Sequence, residues 1–172
     1  MSLTVTSAVL DDAPVNVRAV DGVIGALGPD VTPEVGDEVL DAHGLALTPG
    51  LVNGHGHAAM TLLRGYGDDL PLMEWLEDRI WPAEAQLTQD DVYWGTRLAC
   101  LEMIRSGTTR FWDMYWHQFD IARAVVDSGM RASVSQVYLS FPGAPADARP
   151  EAAPEGLARL GEFGPRVTPC LG

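Results

Sequence analysis

The sequence contains no lysine, and all eleven of its basic residues are arginine. Its 24 acidic residues outnumber them and give a formal net charge of −13 at pH 7. A surface of that sign repels nucleic acid and acidic membranes, so neither is expected as a partner. Such acidity is typical of proteins that stay soluble at high salt, and a GC-rich genome is the other explanation for the missing lysine. Both explanations stay open.

Cysteines are few, and long apolar runs are missing. Cys100 and Cys170 are too far apart to indicate a disulfide framework or a zinc ribbon. No apolar stretch approaches the roughly eighteen residues that a membrane helix needs. Residues 1–20 have neither the basic start nor the apolar centre of a signal peptide. We therefore predict a cytoplasmic protein with no membrane segment.

The pattern of apolar residues predicts two parts. Residues 1–48 hold short strands rich in Val, Thr and Ile, separated by turn residues, which predicts a small antiparallel β unit. In residues 49–172 strands alternate with helices, which is typical of a parallel sheet covered by helices. About four such strand–helix units fit into this length, and a loop is expected over residues 142–150.

Two helices are marked by their ends. A helix over residues 72–80 is expected to begin with Asp69 as its N-cap. A longer helix begins after Thr88, because Asp91 three residues later completes a capping-box pattern, and it ends at Gly107. In this longer helix, three large apolar residues recur at helical spacing and are predicted to lie in the core: Trp94, Leu98 and Leu101.

A pair of histidines directly follows the first strand of the second part. Side chains two residues apart in an extended segment point the same way, so His55 and His57 can face one point in space. Imidazole is the commonest side chain for binding zinc and similar ions, and the glycines at 54 and 56 leave room for one. Taken alone the pattern is weak, since two unrelated loop histidines would look the same.

The residues around this pair carry a family resemblance. Residues 49–65 read PGLVNGHGHAAMTLLRG and resemble the first barrel strand of the amidohydrolase superfamily. The downstream segments DDLPLMEWL (68–76), WPAE (81–84) and SGTT (106–109) resemble one branch of that superfamily. This branch holds the S-adenosylhomocysteine/5′-methylthioadenosine deaminases and their chlorohydrolase relatives. The motifs keep the order and spacing of that branch from about residue 37 onward.

The resemblance implies an α/β fold in which residues 49–172 form the first half of a (β/α)₈ barrel, truncated after about four units. Residues 1–48 would be the N-terminal part of a small β-sandwich domain. It also implies one divalent ion, zinc or sometimes iron, held by His55 and His57. The remaining family ligands and the general acid and base would lie beyond this chain, so no catalytic residue is assigned within it.

The activity implied for the complete protein is hydrolytic deamination of an adenosine-type nucleoside, such as 5′-methylthioadenosine or S-adenosylhomocysteine. Guanine or cytosine deamination and triazine dechlorination are the alternatives within the enzyme class. A further alternative is that the 172-residue chain is an inactive remnant or one piece of a split enzyme. The expected partner is a small molecule, and relatives of this kind often form homo-oligomers.

The resemblance also assigns roles to single residues. Glu84 stands where family members accept hydrogen bonds from the ribose hydroxyls, although by composition it would be an ordinary solvated acid. His117 is expected to line the entrance of the site. Asp113, at the end of the second strand, is expected to support the site without reacting. Arg64 either braces the first loop or forms a surface ion pair. Gln136 stands where some relatives carry a substrate-binding arginine, which argues against a homocysteine carboxylate.

Overall fold

The computed structural model describes residues 1–140 and 148–172, and the chain divides into two compact units, Met1–Pro49 and Gly50–Gly172. Most of the loop expected over residues 142–150 lies outside the described residues. Within the described part, the helices are all too short or too polar to cross a membrane.

The first unit is a four-stranded sheet with the order β3-β2-β1-β4. Its strands are β1 (Ser2–Leu10), β2 (Ala13–Val20), β3 (Val23–Gly28) and β4 (Glu38–Asp41). Strand β2 pairs antiparallel with β1 and β3, but β4 lies parallel to β1. The prediction of a wholly antiparallel unit was therefore wrong, because residues 29–37 carry the chain back across the sheet before β4 begins.

One carboxylate fixes this returning segment. Asp37 accepts hydrogen bonds from Arg18 Nε at 2.8 Å and Nη2 at 3.1 Å, and from Thr4 Oγ1 at 2.7 Å. The backbone N–H of Glu34 donates to the same carboxylate at 2.9 Å. These bonds, that of Arg18 foremost, hold the pKa of Asp37 well below its usual range. The charged carboxylate thereby places β4 beside β1.

The second unit is a fully parallel sheet with the sequential order β5-β6-β7-β8. Its strands are β5 (Leu51–Gly56), β6 (Thr108–Asp113), β7 (Arg131–Gln136) and β8 (Val167–Leu171). The helices between them are α1 (Leu72–Trp75), α2 (Trp81–Glu84), α3 (Gln89–Arg105), α4 (Gln118–Ser128) and α5 (Ala153–Gly161). Short 3₁₀ turns span Ala58–Leu63 and Pro150–Ala152. Consecutive parallel strands joined through helices confirm the predicted α/β class.

The two predicted helix starts had different outcomes. The capping box of α3 is confirmed: the Thr88 side chain accepts from the Asp91 N–H at 3.2 Å, and the Asp91 carboxylate accepts from the Thr88 N–H at 2.8 Å. The predicted N-cap at Asp69 is wrong. That residue adopts a left-handed turn with φ of 64°, and α1 begins after Pro71 without a side-chain cap. Beyond α1, residues Leu76–Ile80 form a π turn, so the expected helix is irregular.

The buried face of α3 is the opposite of the predicted one. Trp94, Leu98 and Leu101 are 63%, 40% and 52% exposed, so their assignment to the core was wrong. The helix instead buries a row of mostly small residues: Val92, Gly95, Thr96, Ala99 and Cys100. A Cβ atom at Gly95 would lie 2.7 Å from the carbonyl oxygen of Ala59, because the 3₁₀ turn after β5 packs directly on the helix backbone. Close approach of the backbones, and not side-chain bulk, therefore selects the buried face.

This packing predicts that replacing Gly95 by alanine, which adds one methyl group, lowers the stability of the protein. In Gly95→Ala the new methyl group must displace backbone atoms, and such overpacking costs about 1–3 kcal/mol of unfolding free energy. The matched control is Gly161→Ala in α5, where the nearest atom to the new methyl group is 3.9 Å away. The control should change the stability by less than about 1 kcal/mol. Urea denaturation measures both, and equal stabilities of the two variants would contradict the packing argument.

Candidate functional site

The two histidines lie at the carboxyl end of β5, the end where parallel barrels place their sites. The ring centroids of His55 and His57 are 5.2 Å apart, and the ring planes cross at 79°. Two imidazoles bound through nitrogen to one tetrahedral ion about 2.1 Å away have centroids about 5 Å apart. The observed pair therefore fits a single ion without a large rearrangement.

The orientation of His57 is set by the neighbouring strand. Its Nδ1 lies 2.6 Å from the carbonyl oxygen of Met114, the residue that follows β6. Because a carbonyl oxygen can only accept, Nδ1 carries the proton, and Nε2 keeps its lone pair free for a ligand. A second bond in the same place runs from the Met114 N–H to the carbonyl oxygen of Gly56 at 3.3 Å.

Asp113 supports the same place from inside the protein. It is fully buried at the end of β6, and its Oδ1 accepts a hydrogen bond of 2.8 Å from the backbone N–H of Ala58. Ala58 directly follows His57, so this bond fixes the backbone that carries the imidazole. The other oxygen, Oδ2, has no hydrogen-bond partner among the described residues. Burial raises the pKa of Asp113 to about 6.

The number of metal ligands is limited. Across residues 1–140 and 148–172, no group of three or more His, Cys, Asp or Glu side chains could hold a metal ion together. A catalytic zinc site normally has three protein ligands and an open position. The described residues offer two candidates, His55 and His57, and no third side chain beside them.

Two adjoining cavities connect the histidine pair to the other predicted residues. The smaller, of about 240 Å³, is lined by both His57 and Glu84. The larger, of about 690 Å³, is lined by Glu84 and His117. Trp81, Tyr115 and Trp116 line both cavities together with Glu84. The fold thus brings together three predicted residues that lie 27 and 33 positions apart in the sequence.

Glu84 and His117 reach these cavities by different local structures. Glu84 is the last residue of α2 and is half-buried. His117 precedes α4 in the left-handed conformation, with φ of 56°. A non-glycine residue in this region is strained by roughly 1–3 kcal/mol, and such strain concentrates at ligand sites. The turn at His117 directs the chain from the strand end into α4.

Tyr115 was missed by the sequence reasoning. It lies two residues beyond β6 and is only 5% exposed, and burial together with its interaction with the Glu84 carboxylate raises the pKa of Tyr115 above its usual range. The available signal was its position, since residues that directly follow a barrel strand lie on the active face. Trp116, which also lines both cavities, carried the same signal, whereas Trp81 begins α2 and only its place in the WPAE segment beside Glu84 could have indicated it.

Gln136 and Arg64 lie apart from the cavities. The Gln136 side chain is buried and accepts a hydrogen bond of 2.7 Å from Gln118 Nε2, between β7 and α4. It faces α4 and α5, and the inference that its neutral amide disfavours a homocysteine carboxylate stays a prediction. Arg64 donates twice to Glu102 of α3, at 3.1 and 2.7 Å. This exposed ion pair is also the brace of the first loop, so both expectations for Arg64 hold.

The buried carboxyl of Asp113 predicts a pH-dependent stability. Its pKa is about 6 in the folded chain, against about 3.9 in an unfolded one. The folded state is therefore stabilised at low pH, fully below about pH 4, and this stabilisation is lost as the pH rises through 6. Between pH 4 and pH 7, the metal-free wild type should lose about 2 kcal/mol of unfolding free energy relative to Asp113→Asn. Urea unfolding across this range measures the difference, and parallel pH curves would contradict it.

The sequence is similar to curated deaminases over most of its length. The sequence is 54% identical over 123 residues to the 5′-deoxyadenosine deaminase of Methanospirillum hungatei, covering 70% of this chain and 27% of that relative. It is 53% identical over 132 residues to the 5-methylthioadenosine/S-adenosylhomocysteine deaminase of Syntrophobacter fumaroxidans, covering 75% and 30%. The chain therefore spans less than a third of the length of these curated relatives.

Solved structures share the fold over nearly the whole chain. A zinc-bound adenosine deaminase from Xanthomonas campestris superposes with a TM-score of 0.77 and 34% identity, covering 98% of this chain and 42% of that one. A triazine hydrolase from Arthrobacter aurescens gives a TM-score of 0.80 at 19% identity, covering 99% and 46%. A guanine deaminase from C. acetobutylicum gives 0.76 at 18%, with the same coverage. These last two likenesses show the fold alone.

The sequence model of the amidohydrolase family matches residues 46–165, which is well over half of the chain. The matched range contains the histidine pair and the residues that line both cavities. The resemblance found in the sequence is thereby confirmed: the chain belongs to the amidohydrolase family, and it corresponds to the N-terminal part of its members.

Proposed function

We propose that the complete protein is a metal-dependent aminohydrolase that converts an adenine-type nucleoside to its inosine counterpart, with water as the second substrate and ammonia as the second product. The observation that carries this proposal is the cavity shared by His57 and Glu84. This shared wall supports the proposal that His57 binds the metal and Glu84 binds substrate hydroxyls at one small-molecule site. The names of the relatives favour 5′-deoxyadenosine, 5′-methylthioadenosine or S-adenosylhomocysteine as the nucleoside.

The proposed ligands of the metal are His55 and His57. Zinc is the first candidate, because two imidazoles suit it and a zinc ion is bound in the Xanthomonas campestris deaminase; iron is the alternative. When bound, such an ion lowers the pKa of a water molecule to about 7 and so supplies hydroxide at neutral pH. The spacing of the rings and the free Nε2 of His57 support the assignment.

The chain's own residues would bind and orient the nucleoside. The Glu84 carboxylate can only accept hydrogen bonds, so it suits the ribose hydroxyls as donors. The indole rings of Trp81 and Trp116 offer flat apolar walls for a purine and exclude water from it. His117 lies at the wall of the larger cavity, where it would contact the part of the substrate farther from the histidine pair. Asp113 and Met114 hold His57 in place.

The test of this function uses the whole polypeptide that the native gene encodes, supplied with zinc. Ammonia release and the ultraviolet change from adenine to hypoxanthine should appear with at least one of the three candidate nucleosides. Ammonia from guanine or cytosine only, or chloride from a chlorotriazine only, would overturn the proposal in favour of the alternative enzymes. The absence of turnover with every compound would overturn the enzymatic proposal itself.

A second candidate is that the 172-residue chain by itself is inactive and needs a complementary polypeptide. The observation that favours it is the lack of a third metal ligand among the described residues. Turnover by the isolated 172-residue chain with bound zinc would exclude this candidate. Homo-oligomer formation and a cytoplasmic location stay predictions from the sequence.

Metal binding predicts a clear difference between histidine variants. One Co²⁺ ion per chain should bind, and His55→Ala or His57→Ala should weaken the binding more than tenfold, since even the loss of outer partners of a ligand costs about 10–100-fold. The control is His43→Ala, which removes an exposed histidine of the first unit. Titration followed by the visible absorption of Co²⁺ reads the affinity without any turnover. Equal weakening by all three substitutions would argue against a defined site.

The carboxylate of Glu84 predicts selectivity for the ribose. Inosine has the hypoxanthine base and the 2′- and 3′-hydroxyls of the proposed products and does not react, and Trp81 and Trp116 should report its binding by their fluorescence. Glu84→Gln should weaken inosine binding by about tenfold, because hydrogen bonds to a charged group contribute about 1.5–3 kcal/mol. The binding of 2′,3′-dideoxyinosine should not change. Glu74→Gln, at an exposed acid of α1, is the matched control. If Glu84→Gln weakens both ligands equally, the carboxylate does not bind the ribose hydroxyls.

A further inference from the structure

The outer face of α3 carries three large apolar residues that are exposed to solvent: Trp94, Leu98 and Leu101. Leu62, from the 3₁₀ turn after β5, is also exposed and packs against the same helix at Gly95. Single exposed apolar residues are ordinary on a protein surface, but a contiguous group of them is typical of a surface that binds another molecule. Trp94, Leu98 and Leu101 are called the α3 stripe below.

Charged residues of opposite sign lie at the two ends of the α3 stripe. Asp90 precedes Trp94 by one turn and Arg105 follows Leu101 by one turn, so both charges lie on the stripe's side of the helix. The side chain of Asp90 is 86% exposed and lies 3.9 Å from Arg123, which is long for an ion pair. Arg105 takes part in no ion pair among the described residues. Both charges are therefore available to a partner.

The residues of this face are complementary to the same face of a second copy. Two identical helices that pack antiparallel about a two-fold axis place each residue opposite the one that is equally far from the axis on the other side. An axis between residues 97 and 98 places Asp90 opposite Arg105 and, at the same time, Trp94 opposite Leu101. Leu98 then lies at the axis, beside its own copy. Pairing with a second copy requires this agreement about one axis, and pairing with any other molecule does not.

The centre of this face is apolar. Arg97, the neighbour of Leu98, donates a hydrogen bond of 2.9 Å to the hydroxyl oxygen of Tyr93, which itself donates to Asp127 of α4 at 2.8 Å. The guanidinium of Arg97 is therefore held along its own helix on the side of α4. The two charges at the ends of the stripe cancel, so this face is less acidic than a chain of net charge −13 is as a whole. A second acidic copy meets the least repulsion at such a face.

We propose that the α3 stripe is the contact between two copies of the protein, which pair through antiparallel packing of α3 on α3 about a two-fold axis. Each dimer then contains two ion pairs, from Asp90 of each copy to Arg105 of the other, with the apolar residues between them. Side chains spaced by three or four residues form the seam of helices that pack with nearly aligned axes. Burial of the apolar residues supplies the affinity, and the ion pairs fix the register. The inference does not depend on the proposed function.

The other candidate occupant of this face is the remainder of the same polypeptide. This chain covers less than half of the solved structures that share its fold, so further residues of the complete protein can lie near α3. Contact with those residues would require complementary side chains on them, but it would not require opposite charges at symmetric positions of α3 itself. An exchange of the two charges separates the two occupants.

The test exchanges the charges at the ends of the stripe in the complete polypeptide that the native gene encodes, and sedimentation velocity measures the dissociation constant of the dimer. Asp90→Arg should raise this constant about tenfold or more, because the two-fold axis turns one substitution into two repulsive pairs. Arg105→Asp should do the same. The double variant Asp90→Arg/Arg105→Asp restores both pairs with their signs reversed, so its dissociation constant should return to within about threefold of the wild-type value.

A substitution at the centre of the stripe tests the apolar contact. Leu98→Asp should raise the dissociation constant by about a hundredfold or more, since it removes apolar area and brings two carboxylates together at the axis. The matched control is Leu72→Asp, which places the same charge at an exposed leucine of α1 and should leave the dimer unchanged. Circular dichroism shows whether each variant is folded.

Every other outcome overturns the inference. A monomeric wild type shows that no second copy binds, and a lower melting temperature of Leu98→Asp in that case assigns the stripe to the remainder of the polypeptide. A dimer that none of the α3 substitutions weakens, or that Leu72→Asp weakens equally, forms through another face. If both single charge substitutions weaken the dimer and the double variant does not recover, the stripe contacts a different surface of the second copy.

Discussion

The joint between the ends of β5 and β6 is the constraint on which the site depends. Three hydrogen bonds cross it: the Ala58 N–H to Asp113, His57 to the Met114 carbonyl oxygen, and the Met114 N–H to Gly56. The first two fix the backbone and the ring of His57 from a neighbouring strand that is itself locked into a parallel sheet. The glycine-rich strand end is thereby held as a support for the His57 imidazole.

The segment that follows β6 at this place also lines the two cavities. Residues 113–117 follow one another out of β6, and each contributes something different: a buried carboxyl, a carbonyl for His57, a buried phenol, an indole wall and a strained turn. One short segment therefore contacts His57 and also lines the cavities that Glu84 lines, so the geometry of a strand end relates the proposed metal site to the proposed substrate site. Rigid placement of this kind reduces the reorganisation that a bound substrate must cause.

The sequence predicted those features that depend on local spacing. The pairing of His55 with His57 follows from the two-residue period of a strand, and the start of α3 follows from the capping box of Thr88 and Asp91. Features that depend on distant contacts were not predictable in this way. The parallel placement of β4 depends on the contact of Asp37 with Arg18, and the contact of Tyr115 with Glu84 depends on the position of α2. No pattern in a single sequence predicts either of these two contacts.

The buried face of α3, which is the opposite of the predicted one, determines which positions of this helix tolerate substitution. Any side chain larger than a hydrogen atom at position 95 costs stability, because the Ala59 carbonyl oxygen lies 2.7 Å from the place of its Cβ atom. Trp94, one residue away, faces solvent and could be replaced by any good helix former at little cost to the stability of the fold. A mutational library of α3 should therefore keep the small buried residues constant and vary the large exposed ones.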